Sequence, residues 1–146
     1  MKVVDHTAIS IVTGGLLYYW TRSLHGLFWF LAAGIFIDLD HYLDYAREYG
    51  FSFNFRKVYH TCKYGHTYFK NLTLILHSYE LVAILWLAIF LFDLNISWKA
   101  AAIGLTLHII MDQAANPLKP LAYFLWFRIA NNFETEKMYK KKGVLC

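Results

Sequence analysis

The sequence predicts an all-α protein, a polytopic membrane helix bundle with four transmembrane helices and a short C-terminal interfacial or fifth helix. Of the 146 residues, 58% are hydrophobic and only 16% are charged, whereas soluble domains carry about 25% charged residues. One apolar run, residues 72–92, also has the length of about 20 residues that crosses a bilayer as a helix. The chain length fits one domain over residues 1–146.

Five apolar segments supply the predicted helices. In chain order they are residues 7–20, 24–45, 72–92, 97–115 and a weaker segment at 118–130. The first two are short for spanning helices and would also suit a buried hairpin of a soluble protein, so the third segment decides the class. The fifth carries Lys119 and Arg128. We therefore expect it to lie in the membrane interface or to span as a short, tilted helix.

Basic residues indicate the orientation in the membrane. The loop 46–71 holds five lysines and arginines against one acid, and further lysines lie in the tail and at Lys2. The positive-inside rule then places the N-terminus, this loop and the tail in the cytoplasm, as expected for a prokaryotic inner membrane protein. Basic residues beside apolar segments favour anionic lipid as the partner. No base-reading motif indicates sequence-specific nucleic acid.

Ionisable residues recur at the helix ends that this topology places on the cytoplasmic side. Four predicted helices contribute them: His6, Asp38, Asp40, His41, His77, Glu80, His108 and Asp112. Asp38 and His41 are three residues apart, as are His77 and Glu80, and such spacings put side chains on one helix face. The four-residue spacing of His108 and Asp112 does the same. Asp40 is out of phase with Asp38, so we expect it to point elsewhere.

A metal ion would explain why these groups are tolerated. Each carboxylate in hydrocarbon costs roughly 2.5–3.5 kcal/mol on insertion scales, and a divalent cation would offset that cost. Mixed histidine and carboxylate ligands suit zinc, manganese or iron. We expect one or two divalent ions, zinc or manganese before iron, on these ligands: His6, Asp38, His41, His77, His108 and Asp112. Asp40 or Glu80 would act as general base, while Asp44 is expected to lie at the interface.

Three motifs in this order resemble the YdjM-like family of membrane-bound metal-dependent hydrolases. They are Asp-Leu-Asp-His at 38–41, Leu-His-Ser at 76–78 and Leu-His-Ile-Ile-Met-Asp-Gln-Ala-Ala-Asn-Pro at 107–117. With His6 in the early histidine position, the resemblance covers about residues 5–117. The chain departs from the family pattern at Ile37, where proline is common, and lacks the Gly-His-Arg-Gly motif before His-Ser. The resemblance implies metal-dependent hydrolysis. The missing arginine concerns the identity of the substrate more than the binding of metal.

The leading hypothesis is therefore a membrane hydrolase that acts at the cytoplasmic interface on a phosphate-containing or lipid-linked substrate. One alternative is a di-iron membrane oxidoreductase, but carboxylates are few and the usual Glu-x-x-His order is reversed at residues 77–80. Another is a non-catalytic metal-binding membrane protein or a cation transporter. The outer halves of the predicted helices are almost purely apolar, which offers a transported ion no path. The sequence does not specify the oligomeric state.

Overall fold

The computed structural model of the chain is all-α over the part that it describes, residues 3–63 and 69–140 without the side chains of 3–6 and 63. This confirms the all-α part of the prediction. The α-helices are α1 (Val3–Thr21), α2 (Leu24–Phe36), α3 (Leu39–Tyr49), α4 (Phe55–Lys63), α5 (Tyr79–Leu91), α6 (Ile96–Ala115), α7 (Leu125–Ala130) and the single turn α8 (Thr135–Met138). A 3-10 helix spans Pro120–Tyr123. Extended pairing among the described residues is limited to two isolated bridges, Asn71 with Glu134 and Leu118 with Tyr139.

The chain forms two compact units. The first unit comprises Met1–Ile37 and His77–Asn116, and the second comprises Asp38–Leu76 and Pro117–Cys146. In the first unit α2 and α6 share the most extensive contact, α1 packs mainly on α2, and α5 packs on α6. The helices of the first unit agree with the predicted segments at 7–20 and 97–115 to within a few residues.

Small residues bring the backbones of α2 and α6 together in the first unit. A Cβ atom built on Gly104 would lie 2.4 Å from the carbonyl oxygen of Phe30, closer than any side chain can approach a backbone. Gly104 belongs to a row at four-residue intervals along α6, in which Ala100, His108 and Asp112 are also buried. Such small-residue contacts are typical of helices that associate by close packing rather than by large apolar side chains.

The third predicted segment is helical only in its second part. Residues 72–92 were expected to form one helix, but α5 begins at Tyr79, where the side chain of Ser78 accepts a hydrogen bond from the Leu81 amide. Residues 72–78 adopt turns, and Leu74 has a φ of 41° in the left-handed region. The expectation that His77 lies in the first turn of a helix, on one face with Glu80, is therefore wrong.

A row of carboxylates on α3 explains the irregular chain in the second unit. Asp44 Oδ2 accepts hydrogen bonds from the backbone amides of Thr73 (2.8 Å) and Leu74 (3.2 Å). Asp40 Oδ2 accepts from the Leu76 amide at 2.9 Å. One turn further along the same face, Glu48 accepts from the Lys70 amide through both oxygens, at 3.0 and 3.1 Å. These charge-assisted bonds replace the hydrogen bonds that a helix would make within itself.

Arg128 donates hydrogen bonds to the carbonyl groups of Thr73 and Leu74, the same two residues whose amides donate to Asp44. Its Nη1 donates to the carbonyl oxygens of Thr73, at 2.9 Å, and of Leu74, and the side chain is almost fully buried. The two residues whose N–H groups donate to Asp44 are thus held by Arg128 through their C=O groups. Asp44 is buried as well, so the expectation that it lies at the interface is wrong: it is an acceptor for backbone amides.

Two other predicted segments are interrupted. Residues 24–45 form α2 and most of α3 with a turn at Ile37 and Asp38 between them, where the Ile37 amide bonds to Ile35 O. The fifth segment, 118–130, contains the 3-10 helix and the six-residue α7. Both pieces of it are too short to span a bilayer, because a spanning helix needs about 17–25 residues.

One helical stretch among the described residues, Leu24–Tyr49, is long and apolar enough to cross a membrane by length and composition. The apolar helix α5 has 13 residues, which corresponds to about 20 Å at 1.5 Å per residue. The hydrocarbon core of a bilayer is about 30 Å thick. Four membrane crossings therefore stay a prediction.

The α2–α6 contact predicts a large effect for one methyl group. Gly104→Ala should destabilise the first unit by about 1–3 kcal/mol, because overpacking forces the two backbones apart. Thermal unfolding of the purified protein in detergent measures this. The matched control is Gly15→Ala on α1, where a Cβ would meet nothing within 4 Å. Equal melting temperatures for the two variants would show that α2 and α6 are not in close contact.

The carboxylate row predicts a second stability effect. Asp44→Ala should cost about 2–4 kcal/mol, because two amides lose a charged acceptor inside the protein, and Asp44→Asn should cost less because its amide oxygen can still accept. The control is Asp93→Asn, since the Asp93 side chain is 96% exposed and pairs loosely with Lys99 at 3.5 Å. Chemical denaturation would reveal a structural role for Asp44 as a lower midpoint than that of Asp93→Asn.

Candidate metal centre

Three buried donor atoms converge in the first unit. His77 Nε2 lies 3.4 Å from Asp112 Oδ2, and His108 Nε2 lies 3.7 Å from the same oxygen. The rings of His77 and His108 meet edge to face with their centroids 5.2 Å apart. All three residues are buried, and one donor atom from each lies within 4.8 Å of the others. Two imidazoles and a carboxylate thus form a compact group that could hold a metal ion.

The spacing of the donors suits metal ligands better than hydrogen bonds. Nitrogen-to-oxygen hydrogen bonds are about 2.7–3.2 Å long, and both His–Asp112 separations exceed that. Ligand atoms about 2.0–2.1 Å from a tetrahedral zinc ion lie about 3.3 Å from one another. The measured 3.4 and 3.7 Å are close to this value. The two separations between histidine nitrogens and Asp112 Oδ2 are thus compatible with a shared cation.

His108 is oriented for ligation by a hydrogen bond on the other side of its ring. Its Nδ1 lies 2.7 Å from the carbonyl oxygen of Gly34 on α2. Because a carbonyl oxygen only accepts, Nδ1 must carry the proton, and the neutral ring then has its lone pair on Nε2. Metal-binding histidines usually hold a carbonyl or carboxylate in this way. The approach of α2 to α6 at Gly104 brings that carbonyl within reach.

His77 reaches the centre from a turn and not from a helix. It directly precedes Ser78, the N-cap of α5. Beside the centre, the Tyr79 hydroxyl donates a hydrogen bond to Gln113 Oε1, which joins α5 to α6. Tyr79 and Gln113 are sequence neighbours of the donors at 77 and 112, so this bond ties together the two chain segments that carry them. Ser78 acts as a cap, in keeping with a structural hydroxyl and not a nucleophile.

The remaining predicted ligands lie outside this group of three. Asp38 and His41 belong to the second unit, where Asp38 Oδ1 lies 3.9 Å from His41 Nε2, as their three-residue spacing implies. Their participation in the centre stays a prediction. His6 lies on α1, but its side chain is outside the described residues, so its predicted role as a ligand stays a prediction too.

Cys62 of the second unit is in contact with His41. Its thiol donates to the His41 carbonyl at 3.6 Å. Burial, followed by the negative charges of Asp44 and Asp38, raises the pKa of Cys62 to about 11. Without a bound metal, the group is therefore a thiol at neutral pH.

The two predicted general bases have different surroundings. Asp40 is buried in the second unit, where Oδ2 accepts the Leu76 amide. Glu80 is half-buried in the first turn of α5, in the unit that contains the three donors. Its carboxylate near the helix N-terminus is favoured by the helix dipole. Both assignments stay predictions.

Two residues that shape the centre were not identified from the sequence. Gly34 and Gly104 allow the close contact of α2 with α6, and within the second unit the bonds of Arg128 and Asp44 to Thr73 and Leu74 were not identified either. One signal was present: Ala100, Gly104, His108 and Asp112 recur every four residues, which places small residues and donors on one face of α6. Nothing comparable indicated the bonds from Arg128, because they join residues 54 and 55 positions apart.

Comparisons of the chain with known protein families, with curated proteins and with solved structures gave no match. The candidate centre is supported by the chemistry and spacing of its own donors. The likeness of the motifs at 38–41, 76–78 and 107–117 to YdjM-like hydrolases stays a prediction.

Proposed function

We propose that the protein is a membrane-embedded, metal-dependent hydrolase that acts at the cytoplasmic interface on a phosphate-containing or lipid-linked substrate. The observation that carries the proposal is the convergence of His77, His108 and Asp112, with the Nδ1 of His108 held by Gly34 O. Two histidines and one carboxylate are a ligand set of zinc hydrolases, in which the remaining position is open to water or substrate.

Exposed apolar side chains on the helices of the first unit support the membrane setting. Trp20 of α1, Phe28 of α2 and Phe90 of α5 are among many large apolar residues that are exposed. Many large exposed apolar side chains on the same helices are expected where helices contact lipid. With four crossings and basic loops on one side, the donors would lie near the cytoplasmic headgroups, where a substrate with a polar head and a lipid tail presents its reactive group.

The chemistry would divide between the ion and the protein. A bound divalent ion supplies Lewis acidity and lowers the pKa of a coordinated water. His77, His108 and Asp112 would hold it, and the hydrogen bond to Gly34 O keeps the His108 lone pair on Nε2. Glu80, or Asp40, would accept the proton of the attacking water as general base. Exclusion of bulk water by the buried donors strengthens each electrostatic interaction.

The donor set weighs against the di-iron alternative. Di-iron carboxylate bundles use several glutamates together with two Glu-x-x-His motifs, whereas the described group contains two imidazoles and one carboxylate. A non-catalytic metal protein has the same ligands, so activity must separate it from a hydrolase.

The proposal predicts loss of metal on removal of either kind of ligand. His77→Ala and Asp112→Asn should each lower zinc or manganese affinity by about 100-fold or more, since even residues that only support the ligands matter by 10–100-fold. Metal analysis of the purified variants and competition with a chelator measure this. The matched control is His25→Ala, which removes an exposed histidine of the same unit. Unchanged metal content in both ligand variants would disprove the centre.

Activity separates a hydrolase from a metal-binding protein. The metal-loaded protein should hydrolyse a member of a panel of phosphate esters, phospholipids, isoprenoid phosphates and amides. Glu80→Gln should then reduce kcat by about 10²–10⁴-fold, the usual contribution of general-base catalysis, with metal content unchanged. Glu136→Gln, at an exposed site of the second unit, is the control. Full metal occupancy with no hydrolysis across the panel would contradict the enzymatic part of the proposal.

A further inference from the structure

A surface of the second unit carries aromatic side chains where a soluble protein would carry polar ones. We call it the aromatic–basic surface, and it consists of Phe51, Phe53, Phe55, Arg56 and Lys57. The three phenylalanines are 82%, 88% and 73% exposed, and both basic residues are exposed too. This chemistry is that of an interfacial membrane contact, and the metal centre plays no part in it.

The polar residues between the phenylalanines are used for local hydrogen bonds. The Ser52 hydroxyl accepts from the Asn54 amide at 3.2 Å, and Asn54 Oδ1 accepts from the Lys57 amide at 3.1 Å, where it caps α4. The hydroxyl of Tyr42 on α3 donates to the Ser52 carbonyl at 3.2 Å. The backbone of the loop is thus fixed by its polar groups, while its phenylalanine side chains stay exposed.

The support beneath this surface is a packed core. Tyr45 of α3, Val58 of α4 and Phe69 are buried together. The exposure of the phenylalanines therefore does not result from a loose segment, because the elements on both sides of the loop are anchored. An ordered loop with three exposed phenylalanines at alternate positions needs an apolar environment on its outer side.

The charged residues beside the phenylalanines indicate which partner covers the aromatic–basic surface. Arg56 and Lys57 follow the phenylalanines directly, and the one acid in residues 46–71, Glu48, is engaged with the Lys70 amide through both oxygens. A cationic rim beside apolar side chains complements a bilayer with anionic headgroups, which attracts basic residues and accommodates aromatic rings at the headgroup level. A second copy of the chain would bring the same positive charge against it.

We propose that the aromatic–basic surface docks on an anionic lipid bilayer. Phe51, Phe53 and Phe55 insert at the boundary of headgroups and acyl chains, and Arg56 and Lys57 bind headgroup phosphates. This contact would hold the second unit against the membrane surface whatever reaction the metal centre performs.

Depth measurement with a spin label tests the proposal. The label is attached at Phe53→Cys in the full chain with Cys62→Ser and Cys146→Ser, incorporated into phosphatidylcholine vesicles with an increasing fraction of phosphatidylglycerol. We expect the label to collide more with oxygen, which concentrates in the bilayer, than with a water-soluble nickel chelate. The preference should rise with phosphatidylglycerol, and Arg56→Gln with Lys57→Gln should weaken this response by a factor of roughly five per basic side chain.

The other outcomes identify other occupants. Lys99→Gln removes a positive charge from the first unit and should leave the response unchanged. Free access of the nickel chelate in every vesicle would place the surface in water and overturn the proposal. Protection from both reagents would indicate contact with a second copy or another protein. Insertion that is equal with and without phosphatidylglycerol would reject the anionic partner.

Discussion

The close contact of α2 with α6 is the constraint on which the candidate centre depends. Because Gly104 has no side chain, the two backbones approach until the Phe30 carbonyl oxygen lies 2.4 Å from the position that a Cβ would take. One turn further along each helix, the same approach brings Gly34 O to His108 Nδ1. That hydrogen bond sets the tautomer of His108 and directs Nε2 towards Asp112. The packing of α2 on α6 thereby determines which ring nitrogen of His108, a candidate ligand, carries the proton.

Four of the acidic side chains have two different roles. Asp112 faces two imidazoles in the first unit, whereas Asp40, Asp44 and Glu48 accept backbone amides in the second. Both uses remove the cost of burying polar groups, since an amide outside a helix or sheet must find an acceptor when buried. A carboxylate in an apolar sequence is therefore not by itself a sign of chemistry, and what it faces decides its role.

Hydropathy and spacing predicted the parts of the structure that depend on near neighbours in sequence. The bounds of α1 and α6 and the shared face of His108 and Asp112 follow from periodicity within single helices. The break before α5 did not, because it results from bonds that Asp44 and Arg128 make to Thr73 and Leu74 across 29 to 55 residues. Apolar composition alone cannot distinguish such a clamped turn from a helix.

The net charge expected of a metal-loaded centre would favour an anionic substrate over a neutral one. A divalent ion held by two neutral imidazoles and one carboxylate would retain a net charge of about +1, because a neutral imidazole contributes none. An unbalanced charge in a buried site is costly, and the cost falls when an anion occupies the open position. A phosphate group supplies such an anion, whereas a neutral amide does not. The YdjM-like proteins that the motifs resemble often carry Gly-His-Arg-Gly before His-Ser, and this chain has no arginine directly before His77. In the proposed hydrolase, the residual charge of a bound ion would attract the phosphate group of the substrate.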